Sequence, residues 1–177
     1  MRKQFPVLDV VSARSGFDAC SHYRWLVDAD VTDAPLLAMG DVDADSRADL
    51  VAIELDGTAI VAHRVAEYDD PDVVLGVPLP EDPTQVTIGD WDGDRVGDLW
   101  ILGGGTSILV VSGRDFSTVL ASIELDTPVS QITVGDRDGD GTVELYAAES
   151  DDVVSIFDNT GSTLIERATL SDTPFLA

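Results

Sequence analysis

The chemistry in this chain is concentrated in one eleven-residue pattern that occurs three times, at 40–50, 89–99 and 135–145. Counted from the first Asp, each copy carries acids at positions 1, 3, 5 and 9. They are Asp41, Asp43, Asp45 and Asp49; Asp90, Asp92, Asp94 and Asp98; and Asp136, Asp138, Asp140 and Glu144. Carboxylates packed this densely repel one another unless a counter-ion neutralises them. A hard divalent cation does so best, since calcium takes about six to eight oxygens at about 2.3–2.6 Å and tolerates irregular geometry. Residues 1, 3 and 5 of a tight loop can point inward together. The backbone carbonyl at position 7 (Arg47, Val96 or Thr142) is a natural further oxygen, and position 9 closes the loop. None of the copies contains His or Cys, which argues against zinc and softer metals. A solvated acidic turn that binds nothing is the bland alternative, and the threefold recurrence weighs against it.

The nearest rival pattern, the EF-hand, places a bidentate Glu at position 12. That position holds Ala52, Ile101 and Ala147 here. An EF-hand loop also leads into a helix, whereas these loops lead into the apolar runs 50–53, 99–102 and 145–148, which read as short buried strands. The EF-hand is excluded.

Positioning these loops requires strands on both sides of each. The unit repeats at a spacing of 49 residues from Asp41 to Asp90 and 46 from Asp90 to Asp136. Periods of about 40–50 residues with several short strands each are the mark of propeller blades. The pattern predicts first strands over 35–40, 84–89 and 130–135, and second strands over 49–55, 98–103 and 144–149. Third strands are expected over 58–65, 106–112 and 152–158, and outer strands over 72–79, 117–125 and 162–170. Asp56-Gly57, Gly103-Gly104-Gly105 and Asn159-Thr160-Gly161 read as turns.

An apolar strand, Gly-Asp-x-Asp-x-Asp-x-x-x-Asp-Leu and a second apolar strand together resemble the FG-GAP/VCBS repeat, which builds the β-propellers of integrin alpha subunits and many microbial surface proteins. The resemblance covers nearly the whole chain. It implies an all-β fold, a partial or small β-propeller of four-stranded antiparallel blades with calcium loops between first and second strands. It also implies that the twelve acids named above are the ligands, to which the loop reading adds the position-7 carbonyls of Arg47, Val96 and Thr142. Two departures stand out. Ala44-Asp45-Ser46 lies where Gly is usual, so the first loop is expected to be strained or weaker; and Glu144, longer than Asp, is expected to bind differently.

The blades implied are 33–80, 81–126 and 127–171, flanked by a partial blade at 5–32 and a first strand at 172–177. Two arrangements stay open. The chain is part of a longer propeller, or its last strand joins the N-terminal strands in a composite blade that closes a four-bladed ring. That composite blade would lack a second strand and a calcium loop, which favours the first arrangement. Open blade edges also allow self-association.

Composition narrows the function. Asp and Glu number 34 against 10 Lys and Arg, a net charge of −24, and three bound divalent ions would offset only part of it. Abundant Asp with Lys3 as the sole lysine fits a protein adapted to high salt. Nucleic acid is a poor partner for such a surface, and no apolar run reaches the ~18–20 residues of a membrane span. One cysteine, Cys20, excludes an internal disulfide. The start, Met1 to Pro6, lacks the apolar region of a signal peptide, so the chain is expected either to be cytoplasmic or to have been cut from a longer precursor, the latter if it works outside the cell. His22, Tyr23 and Trp25 form the densest aromatic cluster and are candidates for stacking on a sugar or gripping a peptide. His63 reads as an outward-facing strand residue, and Trp91 and Trp100 as packing residues. No nucleophile elbow or phosphate loop is present. The expectation is a non-enzymatic, calcium-stabilised propeller at the cell surface or outside it, binding a protein or glycan. The competing classes are a domain of a polysaccharide-active enzyme and a lectin-like module.

Overall fold

The computed structural model describes residues 7–13, 20–26, 36–62, 72–74, 76–149, 153–160 and 164–171. They form strands and no helix. An N-terminal hairpin pairs β1 (Val7–Ala13) with β2 (Cys20–Leu26). Three four-stranded antiparallel sheets follow, each a meander in sequence order. The first comprises β3 (Leu36–Gly40), β4 (Asp49–Ile53), β5 (Ala59–Ala62) and β6 (Asp72–Val74). The second comprises β7 (Pro83–Gly89), β8 (Asp98–Gly103), β9 (Ser107–Val111) and β10 (Val119–Glu124). The third comprises β11 (Val129–Gly135), β12 (Glu144–Glu149), β13 (Val153–Asn159) and β14 (Leu164–Ser171).

The second strands read as unbroken apolar runs because both of their faces are covered. Every residue of β4 and of β8 is buried. Successive side chains of a strand point to opposite faces, and β8 divides its own accordingly. Leu99 and Ile101 pack with Val51 and Ile53 of the first sheet, while Trp100 and Leu102 pack with Leu145 and Ala147 of the third. Burying each of these large side chains contributes about 1.5–3 kcal/mol. The sheets are therefore stacked face against face, with β7 lying against β3 on one side and β11 on the other.

Close stacking explains the glycine that ends the first strand of the first and second sheets. A Cβ at Gly40 would stand 2.3 Å from Ile88 Cγ2, and one at Gly89 would stand 2.6 Å from Val134 Cγ2. The following sheet thus presses a branched side chain onto each of these two glycines. Polar ties add direction. The Gln85 amide accepts from the Ile132 N–H at 2.8 Å and donates to the Ile132 carbonyl at 2.7 Å. Asn159 Nδ2 donates to the Trp91 carbonyl at 2.7 Å.

The expected first and second strands match within two residues. Differences fall at the outer parts. β6 ends at Val74, and 76–80 leave the sheet, where Gly76 takes φ 79° and two prolines offer no N–H to a ladder. The expected third strand 58–65 is a strand to Ala62; its remainder, including His63, lies outside the described residues, as do 161–163 and 172–177. Gly103 ends β8, and Gly104 and Gly105, both with positive φ, form the turn to β9 with Thr106.

Candidate metal centre

Each acidic loop joins the first strand of a sheet to the second, closed at its base by an antiparallel pair of glycine and ninth-position acid: Gly40 with Asp49, Gly89 with Asp98, Gly135 with Glu144. The loop backbone is wound by its own carboxylates. Asp41 accepts from the Asp45 N–H at 3.1 Å and the Ser46 N–H at 2.7 Å. Asp90 accepts from Asp94 at 3.2 Å and Arg95 at 2.7 Å, and Asp136 from Gly139 at 2.6 Å and Gly141 at 3.1 Å. The fifth-position acid accepts from the seventh-position N–H in all three: Arg47 to Asp45 at 2.9 Å, Val96 to Asp94 at 2.8 Å, Thr142 to Asp140 at 2.9 Å. Such short-range Asp-to-backbone bonds are the usual chemistry of turns.

The winding forces positions 4 and 6 into the left-handed region. Ala44 and Ser46 have φ 62° and 67°, Gly93 and Arg95 have 80° and 71°, and Gly139 and Gly141 have 79° and 95°. A residue with a Cβ pays about 1–2 kcal/mol there and glycine does not. The first loop has two such residues and the third has none. We expect Ala44→Gly with Ser46→Gly to stabilise the chain by about 1 kcal/mol, read as a higher denaturant midpoint at unchanged slope. A drop in midpoint would contradict the strain.

The result is three triplets, Asp41/Asp43/Asp45, Asp90/Asp92/Asp94 and Asp136/Asp138/Asp140, each offering carboxylate oxygens that all lie within 4.8 Å of one another. Oxygens sharing one ion at about 2.3–2.6 Å stand at most about 5 Å apart, so each triplet fits around a single hard cation. These groups could hold a metal ion.

The ninth-position acids belong to none of the triplets. Asp49, Asp98 and Glu144 are 0%, 1% and 4% exposed. Each accepts from the second-position N–H of its own loop: Val42 to Asp49 at 3.0 Å, Trp91 to Asp98 at 2.8 Å, Arg137 to Glu144 at 2.8 Å. Asp98 also accepts from the buried Gly113 N–H at 3.0 Å, tying its loop to the turn after β9. Burial pushes the Asp98 carboxyl up to about 6, against the two N–H bonds and with help from the charges of Asp92 and Asp94. The longer Glu144 makes the same second-position contact as the two Asp residues, because it too reaches back across the base of its loop.

Trp91 and Trp100 pack as expected, while the core position of Val42 and the Arg114 contact had no sequence signal. Position 2 anchors the first two loops in the core, through Val42 and Trp91, which are 4% and 2% exposed; the Trp91 and Trp100 rings meet edge to face at 5.1 Å. Arg114, in the β9–β10 turn, donates from Nε to Asp94. Burial raises the Asp94 carboxyl, but the Arg114 hydrogen bond, the Val96 N–H and the guanidinium charge outweigh it and the net shift is downward. Adjacent loops also touch, since the Gly97 N–H donates to the Asp41 carbonyl at 2.7 Å.

His22, Tyr23 and Trp25 lie on β2, opposite Val11, Val10 and Leu8, and their side chains are outside the described part of the chain. Among the described residues no helix is long and apolar enough to cross a membrane. The chain matches no protein-family model and no curated protein.

Proposed function

We propose that the chain is a calcium-stabilised module of the β-propeller kind, a non-enzymatic scaffold that displays a binding surface for a protein or glycan outside the cell or on its surface. One observation carries this reading: the same carboxylate triplet converges three times, at the same point between first and second strands of successive stacked sheets. All-oxygen donors at this spacing suit calcium. The weak affinities typical of extracellular modules, about 10⁻⁴–10⁻³ M, suit a compartment where calcium is plentiful. The ion's role is structural: when bound it neutralises the triplet and fixes the hairpin, while the chain's own N–H groups hold each acid in place. Eight of the nine triplet acids accept backbone N–H bonds within their own loops, which supports a structural role for them.

Calorimetric titration of the metal-free chain with calcium should give a stoichiometry of three ions, one per triplet. Asp92→Ala should lower that count by one, and Asp126→Ala, an exposed acid in the turn after β10, should leave it unchanged. Binding of no ion by the parent chain, or equal effects of the two substitutions, would refute the assignment.

A further inference from the structure

The contact between one sheet and the next follows a template seen between the first and second sheets and again between the second and third. Its two halves both recur at the ends of the stack, where no other described residue packs on Gly135 and where Leu37 and Met39 are exposed. At the trailing end, β11 repeats the construction of β7. Both strands carry a bulge at their start, between Pro83 and Gln85 and between Val129 and Gln131. In both, the bulged hydroxyl donates across the ladder, Thr84 to the Leu102 carbonyl at 3.3 Å and Ser130 to the Ala148 carbonyl at 3.2 Å. Gln131 therefore stands where Gln85 stands, but Gln85 grips the Ile132 backbone and Gln131 is exposed. Gly135 matches Gly40 and Gly89, yet a Cβ there would meet nothing within 4 Å.

At the leading end, β3 presents the other half. Leu37 and Met39 hold the repeat positions of Val86 and Ile88, and of Ile132 and Val134. Val86 and Ile132 are buried, at 5% and 1% exposed, whereas Leu37 and Met39 are 52% and 62% exposed. Leu37 pairs with Ala52 as Ile132 pairs with Ala147, so its N–H and carbonyl have the same place on the open edge of the sheet.

We propose that these two ends are the halves of one interface and that the occupant of each is a second copy of this chain, docked head to tail. The Gln131 amide grips the Leu37 backbone of the next copy, and that copy's Met39 lies over Gly135 as Val134 lies over Gly89. The docked pair continues an inter-sheet interface whose glycine contact is present twice in the chain and whose glutamine grip is present once, between the second and third sheets, since Leu36 holds the Gln85 position in β3. It rests on that stacking and not on calcium binding, so failure of the calcium titration leaves it standing and its own failure leaves the metal reading intact. Because the two faces differ, the contact is heterologous and propagates to a ring or a filament. The charge of −24 opposes it at low ionic strength, and salt removes that opposition.

Sedimentation velocity of the full chain in molar salt with calcium, over about 1 µM to 1 mM, tests this. The parent chain should associate in a concentration-dependent way. Gly135→Val, whose Cβ meets nothing within 4 Å among the described residues, and Met39→Glu should each sediment as monomers with unchanged thermal midpoints. Gln131→Ala should weaken association about tenfold or more, through loss of two hydrogen bonds. Equimolar Gly135→Val and Met39→Glu chains should pair one to one, because each retains the half the other lacks. A parent chain that stays monomeric throughout, whether its own termini or a different protein cover these faces, would overturn the proposal. So would variants that still associate alone, or a mixture that stays monomeric.

Discussion

Stripping divalent ions from the chain at low ionic strength should lower its thermal midpoint by about 15–30 °C. An ion held only by the folded form stabilises it by RT ln(1 + [L]/Kd), about 2.7 kcal/mol per site at a hundredfold excess over Kd. Three triplets filled to that level contribute about 8 kcal/mol, comparable to the whole stability of an ordinary domain. For a chain of this size each kcal/mol moves the midpoint by about 2–4 °C. The measurement is circular dichroism against temperature, with chelator and with excess calcium. Molar salt should shrink the gap, because the screening length falls to about 3 Å and the triplets then repel one another less. A gap of about 2 °C or less at low ionic strength would mean that the triplets are no more than solvated turns.

How much of this could be read before any coordinates depended on the range of the interaction. Strand positions were legible because period-two patterning and turn residues are local signals, and β7, β8, β11 and β12 lie where alternation and apolar runs placed them. The acids at positions 1, 3 and 5 were legible for the same reason. The N–H bond of the ninth-position acid was not: expected as a fourth ligand, this acid lies buried at the base of the hairpin, where one of its oxygens accepts from a backbone N–H seven residues back. Nothing in residue type announces that contact, which is additional to the expected ligand role. Strain at Ala44 and Ser46 was visible only as missing glycines, and the structure adds that positions 4 and 6 are both left-handed in every copy. The Gln85 grip on Ile132 joins residues 47 apart in sequence and has no local signature. The short β6 shows turn chemistry overriding an apolar run, since Gly76 and the prolines beyond it end the strand early.

The division of labour among the acids carries a second large effect. Asp98→Ala should cost about 2–5 kcal/mol in chelator, where Asp92→Ala should cost almost nothing or even stabilise. Removing the Asp98 carboxylate orphans two buried donors, the Trp91 and Gly113 N–H groups, and each lost partner costs about 1–3 kcal/mol. It also releases Trp91, which packs its ring against Trp100 between the second and third sheets. Asp92 is exposed and shares the Asp94 N–H with Asp90, each at 3.2 Å, so its loss leaves that donor partnered and, without an ion, removes repulsion toward Asp90 and Asp94. With saturating calcium the order should change, as Asp92→Ala then forfeits an ion's worth of stability. Chemical denaturation of both variants, with and without calcium, reads all four values. If Asp98→Ala is harmless in chelator, the buried acid is no clasp. If the cost of Asp92→Ala is independent of calcium, the triplet is no ligand set. Only the pattern of an ion-independent loss at position 9 and an ion-dependent loss at position 3 agrees with a hairpin held at its base by the chain and at its tip by a cation.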